Sequence, residues 1–358
     1  VQVPSHRPDV SIQEDLIEEI ARLYGYDNIP ETLPYGATNP GVLTPKQRLT
    51  DGLKHTLAGL GLNEIVTYSF IGKKHSEMLR YVQDDVRRNA IEISNPISEE
   101  MSVMRTALLP CMLETMANNV KHQQQNLALF EASSVFSSDH VLTMDNLAKE
   151  EQHLVLGLTG QSAKDWLGNQ KTYDFFYLKG IIENLLASLH ISNWHVEAVA
   201  NDPTWHPGRT AALYVGDTFC GLFGEVHPLV AKNYDLKGKV LAAELSLDVL
   251  LAGGVVVPTH EETPKYPAVQ RDLAVVVAKS VAMDSIKKAV LSVEPKNLRA
   301  INVFDVYEGA QLGEDKKSIA FSLVFQSDEQ TLTDDLVQAE IDKVIAAIEK
   351  DCAGQLRA

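Results

Sequence analysis

The stretch TAALYVGDTFCGLFGEVHP, residues 210–228, holds two apolar-rich runs that meet at Gly216-Asp217. A Gly-Asp pair between such runs reads as the turn of a β-hairpin. A hairpin commits its strands to antiparallel pairing, so the surrounding sheet is expected to be antiparallel. Upstream, HLVLGLTG (153–160) and NLALFEASSVF (126–136) read as further strands. Between hairpin and strands lies YDFFYLKGIIENLLASL (173–189), a long amphipathic helix. SVMRTALLPCMLETMANNV (102–120) reads as a helix entered at Pro110, and IEISNP (91–96) as a strand ending at a turn. NEIVTYSF (63–70) reads as a strand after a helix over 45–61, whose Leu49, Leu53, Leu57 and Leu60 share one face. Strands with helices between them predict an α+β core around an antiparallel sheet.

Downstream, LAGGVVVPTHEETPKYP (251–267) loosens at Gly253 and Gly254 and stiffens at Pro258, Pro264 and Pro267. It reads as a boundary. Beyond it, DLAVVV is a buried strand, AMDSIKKAVLSV a helix and RAINVFDVY a strand. SIAFSLVFQ places Ile319, Phe321, Leu323 and Phe325 on one face of the next strand. TDDLVQAEIDKVIAAIEK is a helix with Thr333 as N-cap and a core stripe of Val337, Ile341, Val344, Ile345 and Ile348. GQLRA adds a short last strand, and the order β-α-β-β-α-β is ferredoxin-like.

The other end is acidic. PDVSIQEDLIEE (8–19) carries Asp9, Glu14, Asp15, Glu18 and Glu19. A helix is expected over 13–25, with Leu16, Ile20, Leu23 and Tyr24 at helical spacing, Gly25 as a stop and Pro30 beyond. On it Asp15, Glu18 and Glu19 fall at i, i+3 and i+4, one face, with Asp9 a short turn upstream. Two readings stand. Acids suit the first turn of a helix, and Glu18 has Arg22 at i+4. Alternatively, converging carboxylates hold a hard divalent cation such as Mg²⁺ or Ca²⁺.

The bulk numbers narrow the class. The 358 residues are 45% hydrophobic and 22% charged, enough for two or three packed domains. No apolar run is long enough to span a bilayer and no signal peptide is visible. Cys111, Cys220 and Cys352 are dispersed and odd in number, which points to a reducing, cytoplasmic setting without a disulfide framework. A formal net charge of -16 lacks the basic footprint of a simple DNA binder. It leaves room for local RNA contact. The chain opens on VQVP without an initiator methionine and reads as a piece of a longer protein. No internal repeat, GxGxxG, P-loop, HExxH or GxSxG occurs.

Several motifs, in order, carry a resemblance. VPSHRPDV and DLIEEIARLYGYDNIP resemble the end of a domain in the β subunit of bacterial phenylalanyl-tRNA synthetase. SNPISEEMSVMRTALLP, LFEASSVF, YDFFYLKGIIENLL and HPGRTAALYVGDTFCGLFGEVHP resemble that subunit's catalytic-like module. KYPAVQRDLAVVV, VFDVYEGAQLGEDKKSIAFSLVFQ and TLTDDLVQAEIDKVIAAIEK resemble its ferredoxin-fold anticodon-binding domain. The resemblance implies three parts: the end of an acidic, metal-bearing domain that contacts the α subunit over 1–30, a class II synthetase-like module over 31–255, and the anticodon-binding domain over 264–358. It implies an (αβ)₂ heterotetramer that joins phenylalanine to tRNA(Phe) with ATP in the cytoplasm.

The family's β-subunit carboxylates hold magnesium in the pattern D-x5-D-x2-E-E, which Asp9, Asp15, Glu18 and Glu19 match. The catalytic parts expected of a class II core are missing. Glu131 in LFEASSVF has no arginine just before it, and GLFGEVHP has none at all. Adenylyl chemistry depends on charge stabilisation by Arg or Mg²⁺, so ATP is expected on the α subunit, with no catalytic residue in this chain. Arg105 reads as structural or as a subunit contact. His206, Arg209 and His227 read as loop residues, a histidine metal site being the lesser alternative. Tyrosine editing belongs to a module upstream in the family. In the last domain Arg271, Phe304, Tyr307, Lys316 and Lys317 are candidate tRNA contacts by stacking and phosphate binding. That region has 12 Lys+Arg against 15 Asp+Glu, so any RNA contact must be a local patch. A solvated turn at GEDKKS and a buried Phe304 are the structural alternatives. A free-standing RNA-binding or regulatory module is the rival to the scaffold reading. A self-sufficient small-molecule enzyme lacks a visible nucleophile–base pair.

Overall fold

The computed structural model describes residues 1–36, 41–138, 147–253, 260, 262–313 and 315–357. The chain divides into two compact units, Val1–Val257 and Pro258–Ala358.

The first unit opens with α1 (Gln13–Tyr24). Gly25, at φ +92°, ends it by donating its N–H to Ala21 O. The helical stripe exists, yet no residue of α1 is buried, and Ile17, Ile20 and Leu23 stay exposed. α2 (Pro45–Gly59) is entered through a reciprocal cap: Thr44 Oγ1 accepts from Gln47 N, and Gln47 Oε1 accepts from Thr44 N. Leu53 and Leu57 are its buried residues.

NEIVTYSF is not one strand. It yields β1 (Asn63–Glu64) and β2 (Phe70–Ile71), with irregular backbone between them. The ladder continues to Ile65 N→Phe130 O and then stops, because the Glu131 carboxylate takes the Thr67 N–H. α3 (His75–Met78) follows. IEISNP makes only an isolated bridge, Glu92 to Val103 of β3 (Val103–Met104). The helix expected over 102–120 begins at Leu109 as α4 (Leu109–Lys121), since Val103 and Met104 pair with β2 first.

The remaining elements are β4 (Leu127–Ser137), β5 (Lys149–Thr159), α5 (Phe175–Ser188), β6 (Trp194–Ala198), β7 (Trp205–Val215), β8 (Thr218–Val226), α6 (Pro228–Asn233), β9 (Val240–Ser246) and α7 (Leu247–Gly253). Seven strands form one sheet in the order β1-β4-β5-β9-β8-β7-β6, antiparallel but for the parallel β1–β4 pair. The β7–β8 hairpin turns at Gly216-Asp217, with Gly216 at φ +57°. β7 starts earlier than expected, at Trp205, and its ladder is irregular up to Thr210.

Both faces of the sheet are buried, so β5 is apolar at successive positions rather than alternating. Leu154, Leu156 and Leu158 pack with α2, α5 and α7. Val155 packs on the other side with α4 and α6. Gly221 is required where β8 meets β9: at φ +155°, a Cβ there would lie 2.0 Å from Glu244 O.

The second unit runs β10 (Val269–Ala278), α8 (Met283–Ser292), β11 (Leu298–Tyr307), β12 (Lys316–Phe325), α9 (Asp334–Cys352), β13 (Gln355–Leu356). Its antiparallel sheet has the order β11-β12-β10-β13. Ile319, Phe321, Leu323 and Phe325 meet Ile286, Val290, Val337, Ile341, Val344 and Ile348 in one core beneath α8 and α9. The opposite face of the sheet carries no helix of this core. Thr333 occupies the N-cap position of α9, but its side chain makes no capping hydrogen bond.

Candidate functional surfaces

The four acidic residues near α1 do not converge. Arg7 donates to Asp9 at 2.7 Å and to Glu19 at 2.5 Å. Arg22 takes the other Glu19 oxygen at 2.7 Å, so its partner is the i−3 residue and not Glu18. Asp15 faces the backbone, accepting from Ser11 N at 2.7 Å and Ile12 N at 2.9 Å. These bonds hold three carboxyls below their usual range: Asp9 through Arg7, Glu19 through Arg7 and then Arg22, and Asp15 through the Ile12 and Ser11 amides. The oxygen donor set suits magnesium. The arrangement does not fit it, because Arg7 supplies the positive charge between Asp9 and Glu19 while Asp15 is spent on the helix start. Among the described residues no group of three or more His, Cys, Asp or Glu is placed to hold a metal ion.

At the β1 edge of the larger sheet, Arg105 and Glu131 form a buried ion pair at 3.1 Å. Arg105 Nε donates to Ser134 O, Nη2 to Ser133 Oγ, and Nη1 also to Thr67 Oγ1. Glu131 Oε2 accepts from the Thr67 hydroxyl at 2.7 Å. The arginine missing before Glu131 in sequence therefore arrives from the loop ahead of α4. Its donors are consumed by protein groups, which leaves it no reach toward a phosphate.

The start of α4 is closed in the same way. Glu244 on β9 accepts from Leu108 N at 2.8 Å and Leu109 N at 3.0 Å, and pairs with His153 at 3.1 Å. A helix N-terminus attracts anions, and here a protein carboxylate already occupies that place. Burial alone would lower the His153 pKa, but the Glu244 hydrogen bond and nearby carboxylates raise it. Burial would raise Glu244, but His153 and then the two amides hold it down. Farther along, Arg209 pairs with Glu225 at 2.8 Å. His206 accepts from Gly208 N and His227 from Leu229 N, as side chains that shape a strand end and a helix start.

One apolar stripe stands out. Val66 and Tyr68 are 87% and 72% exposed, and Phe70 follows at the same two-residue spacing. The alternate residues Ile65, Thr67 and Ser69 turn inward.

In the second unit the five candidate RNA contacts split between the sides of the sheet. Arg271 sits opposite the core residue Leu323 and pairs with Asp334 in the first turn of α9. It ties strand to helix. Lys317 sits opposite Val277, also on the helix-facing side, and donates to Lys279 O at 2.9 Å. Tyr307 lies opposite Ser318, and Lys316 opposite Ala278, on the helix-free face. Phe304 is 59% exposed, not buried, at a bulge of β11 between Val303 and Asp305. Arg357 joins this group with its guanidinium 5.1 Å from the Tyr307 ring centre, a cation–π distance. Nothing in the sequence marked Arg357, since β13 and β11 lie at opposite ends of the strand order.

Residues 29–247 match the family described as phenylalanyl tRNA synthetase beta chain CLM domain. The chain belongs to that family. Residues 264–357 match the ferredoxin-fold anticodon binding domain, and residues 1–26 the tRNA synthetase B5 domain. The whole chain is 40% identical to the phenylalanine–tRNA ligase beta subunit of Carboxydothermus hydrogenoformans, 37% to that of Clostridium tetani and 38% to that of Bacillus subtilis. It spans 44% of the length of each of these synthetase beta subunits. Two solved pyrrolysyl-tRNA synthetase structures from Desulfitobacterium hafniense are distant likenesses. Their TM-scores are 0.43 and 0.45, at 14% and 13% identity, over 57% and 66% of this chain and 64% and 74% of theirs. No helix among the described residues is long and apolar enough to cross a membrane.

Proposed function

We propose that this chain is a non-catalytic part of the beta subunit of phenylalanine–tRNA ligase. It pairs with the α subunit in an (αβ)₂ assembly, holds tRNA(Phe) on its anticodon side, and so supports ATP-dependent attachment of phenylalanine in the cytoplasm. The observation that carries this reading is the closure of Arg105. In a class II-like module, an arginine would be needed against the ATP phosphates. Here it is locked to Glu131, Ser133, Ser134 and Thr67. ATP chemistry is then left to the α subunit. The Val66–Tyr68–Phe70 stripe supplies an apolar contact face for that partner. Tyr307, Phe304, Lys316 and Arg357 supply stacking and charge for an RNA loop. Magnesium at Asp9, Asp15, Glu18 and Glu19 would require Arg7 to leave, and no step of this reading rests on it.

Co-expression with an α subunit tests the proposal. The two chains are expected to co-purify, and this chain alone to show no phenylalanine-dependent ATP–pyrophosphate exchange. Adenylate formation by the chain free of α subunit would overturn the reading. Binding of tRNA without any α-subunit association would favour a stand-alone RNA module.

A further inference from the structure

Two histidines and an arginine gather where β8 ends beside the start of β7. His227 N donates to Thr204 O at 2.9 Å, and His206 lies two residues beyond Thr204, so the histidines are diagonal neighbours across the two strands. Such neighbours stand roughly 7–8 Å apart. Arg80 is tied to the same place. The Thr204 hydroxyl donates to Leu79 O at 2.9 Å, and Arg80 Nη1 donates to Pro203 O at 3.2 Å. All three side chains belong to half-buried residues.

The backbone fixes where the ring protons sit. Gly208 N donates to His206 Nδ1 and Leu229 N donates to His227 Nδ1, each at 3.1 Å. An amide N–H can only donate, so each Nδ1 is the bare nitrogen and each Nε2 carries the proton. Among the described residues neither Nε2–H meets an acceptor, and the Arg80 guanidinium meets only the Pro203 carbonyl. The nearby acids are spent on other cations: Glu77 on Arg88 at 2.7 Å, Asp202 on Arg87 at 3.2 Å and Glu225 on Arg209 at 2.8 Å. Burial, and then Arg80 and His206, push the His227 pKa below its ordinary value. Donors and positive charge are thus collected without a counter-charge. The same tautomer disfavours a metal ion. A metal needs a bare Nε2, which would put a proton on Nδ1 against an amide N–H. Beside Arg80 it would also meet like charge.

We infer that His206, His227 and Arg80 bind a phosphate group through two imidazole Nε2–H donors and a guanidinium. Hydrogen bonds from a cation to phosphate are the strong kind. Three donors from separate stretches of chain suit an oxyanion with more than two oxygens, which a carboxylate lacks. The site goes beyond the α-subunit and RNA surfaces and depends on neither.

The test follows the ring nitrogen signals of the full chain, ¹⁵N-labelled in its histidines, at constant pH and ionic strength. Inorganic phosphate is the probe. The His206 and His227 Nε2 signals are expected to shift together and saturably at roughly millimolar phosphate, with acetate binding about tenfold more weakly. His206→Asn and His227→Asn each keep a side-chain oxygen for the amide two residues on and remove the Nε2–H. Arg80, at φ +62°, is replaced by Asn, a residue that tolerates the left-handed region. Each variant should weaken phosphate binding about tenfold, read at a remaining histidine, with the melting temperature unchanged. An oligonucleotide with a 5′-hydroxyl carries only diester phosphates. Its displacement of phosphate would identify an RNA backbone as the source, and its failure to displace would identify a free phosphate or monoester. Signals unmoved by phosphate, equal binding of acetate, or a response to zinc in place of phosphate would overturn the inference.

Discussion

Arg105 and Glu131 are two full charges removed from solvent, and their value lies in each other. A buried pair with its hydrogen bonds complete can be near neutral in net stability, while a single survivor is strongly destabilising. Arg105→Met alone should cost about 3–5 kcal/mol, measured by urea unfolding. Adding Glu131→Leu should recover most of that loss. Strictly additive losses would show that the two residues do not act as a pair. The His153–Glu244 pair sets a pH window. The His153 pKa is raised above its ordinary 6.5, so its contribution is complete below 6.5 and fades as pH rises through the raised value. The Glu244 pKa is lowered below 4.5, so its contribution is complete above 4.5 and fades as pH falls through the lowered value. Thermal unfolding should therefore show this pair at full strength between 4.5 and 6.5. His153→Phe should remove the decline on the alkaline side. A decline that persists unchanged would assign it to other groups.

At the scale of elements, the pleat of the second sheet decides which basic residues can serve RNA. Successive residues of a strand face opposite sides, so Lys316 and Lys317 cannot act together on one flat surface. Tyr307→Ala should weaken tRNA binding by roughly 1–3 kcal/mol, the range of one stacked base. Lys316→Ala should flatten the dependence of log K on log salt by about one phosphate contact. Lys317→Ala and Arg271→Ala should leave that slope unchanged, since one is tied to a backbone carbonyl and the other to Asp334. These constants are to be measured on the assembled synthetase with tRNA across a salt series. A slope that responds to Arg271 and not to Lys316 would reverse the assignment of faces.

For the molecule as a whole, acidity is compatible with the proposed RNA contact as long as that contact is local. A formal charge of -16 repels nucleic acid at long range. Close in, Tyr307 under Arg357 offers a ring and a cation on one face of the sheet. In the larger unit Arg105 spends its charge on Glu131, Arg87 on Asp85 and Asp202, and Val66, Tyr68 and Phe70 stand exposed as an apolar stripe.

The periodic signals were legible in the residues alone. Turn chemistry at Gly216-Asp217, two-residue alternation in 318–326 and the leucine faces of 45–61 report local geometry, which depends on near neighbours in the chain. The broken strand at 65–69, the late start of α4, and the pairing of Arg7 with Asp9 and Glu19 were not legible in this way. Each depends on where one side chain spends its hydrogen bonds, and its partner lies anywhere from two to many residues away. Glu131 claims Thr67 N from 64 positions along the chain, and Glu244 claims the first amides of α4 from 135 and 136. Sequence determined the strongly periodic elements and the order of the family's segments. Only the tertiary structure decided which charges are spent and which face the solvent, because Coulomb and hydrogen-bond energies follow distance in space and not separation along the backbone.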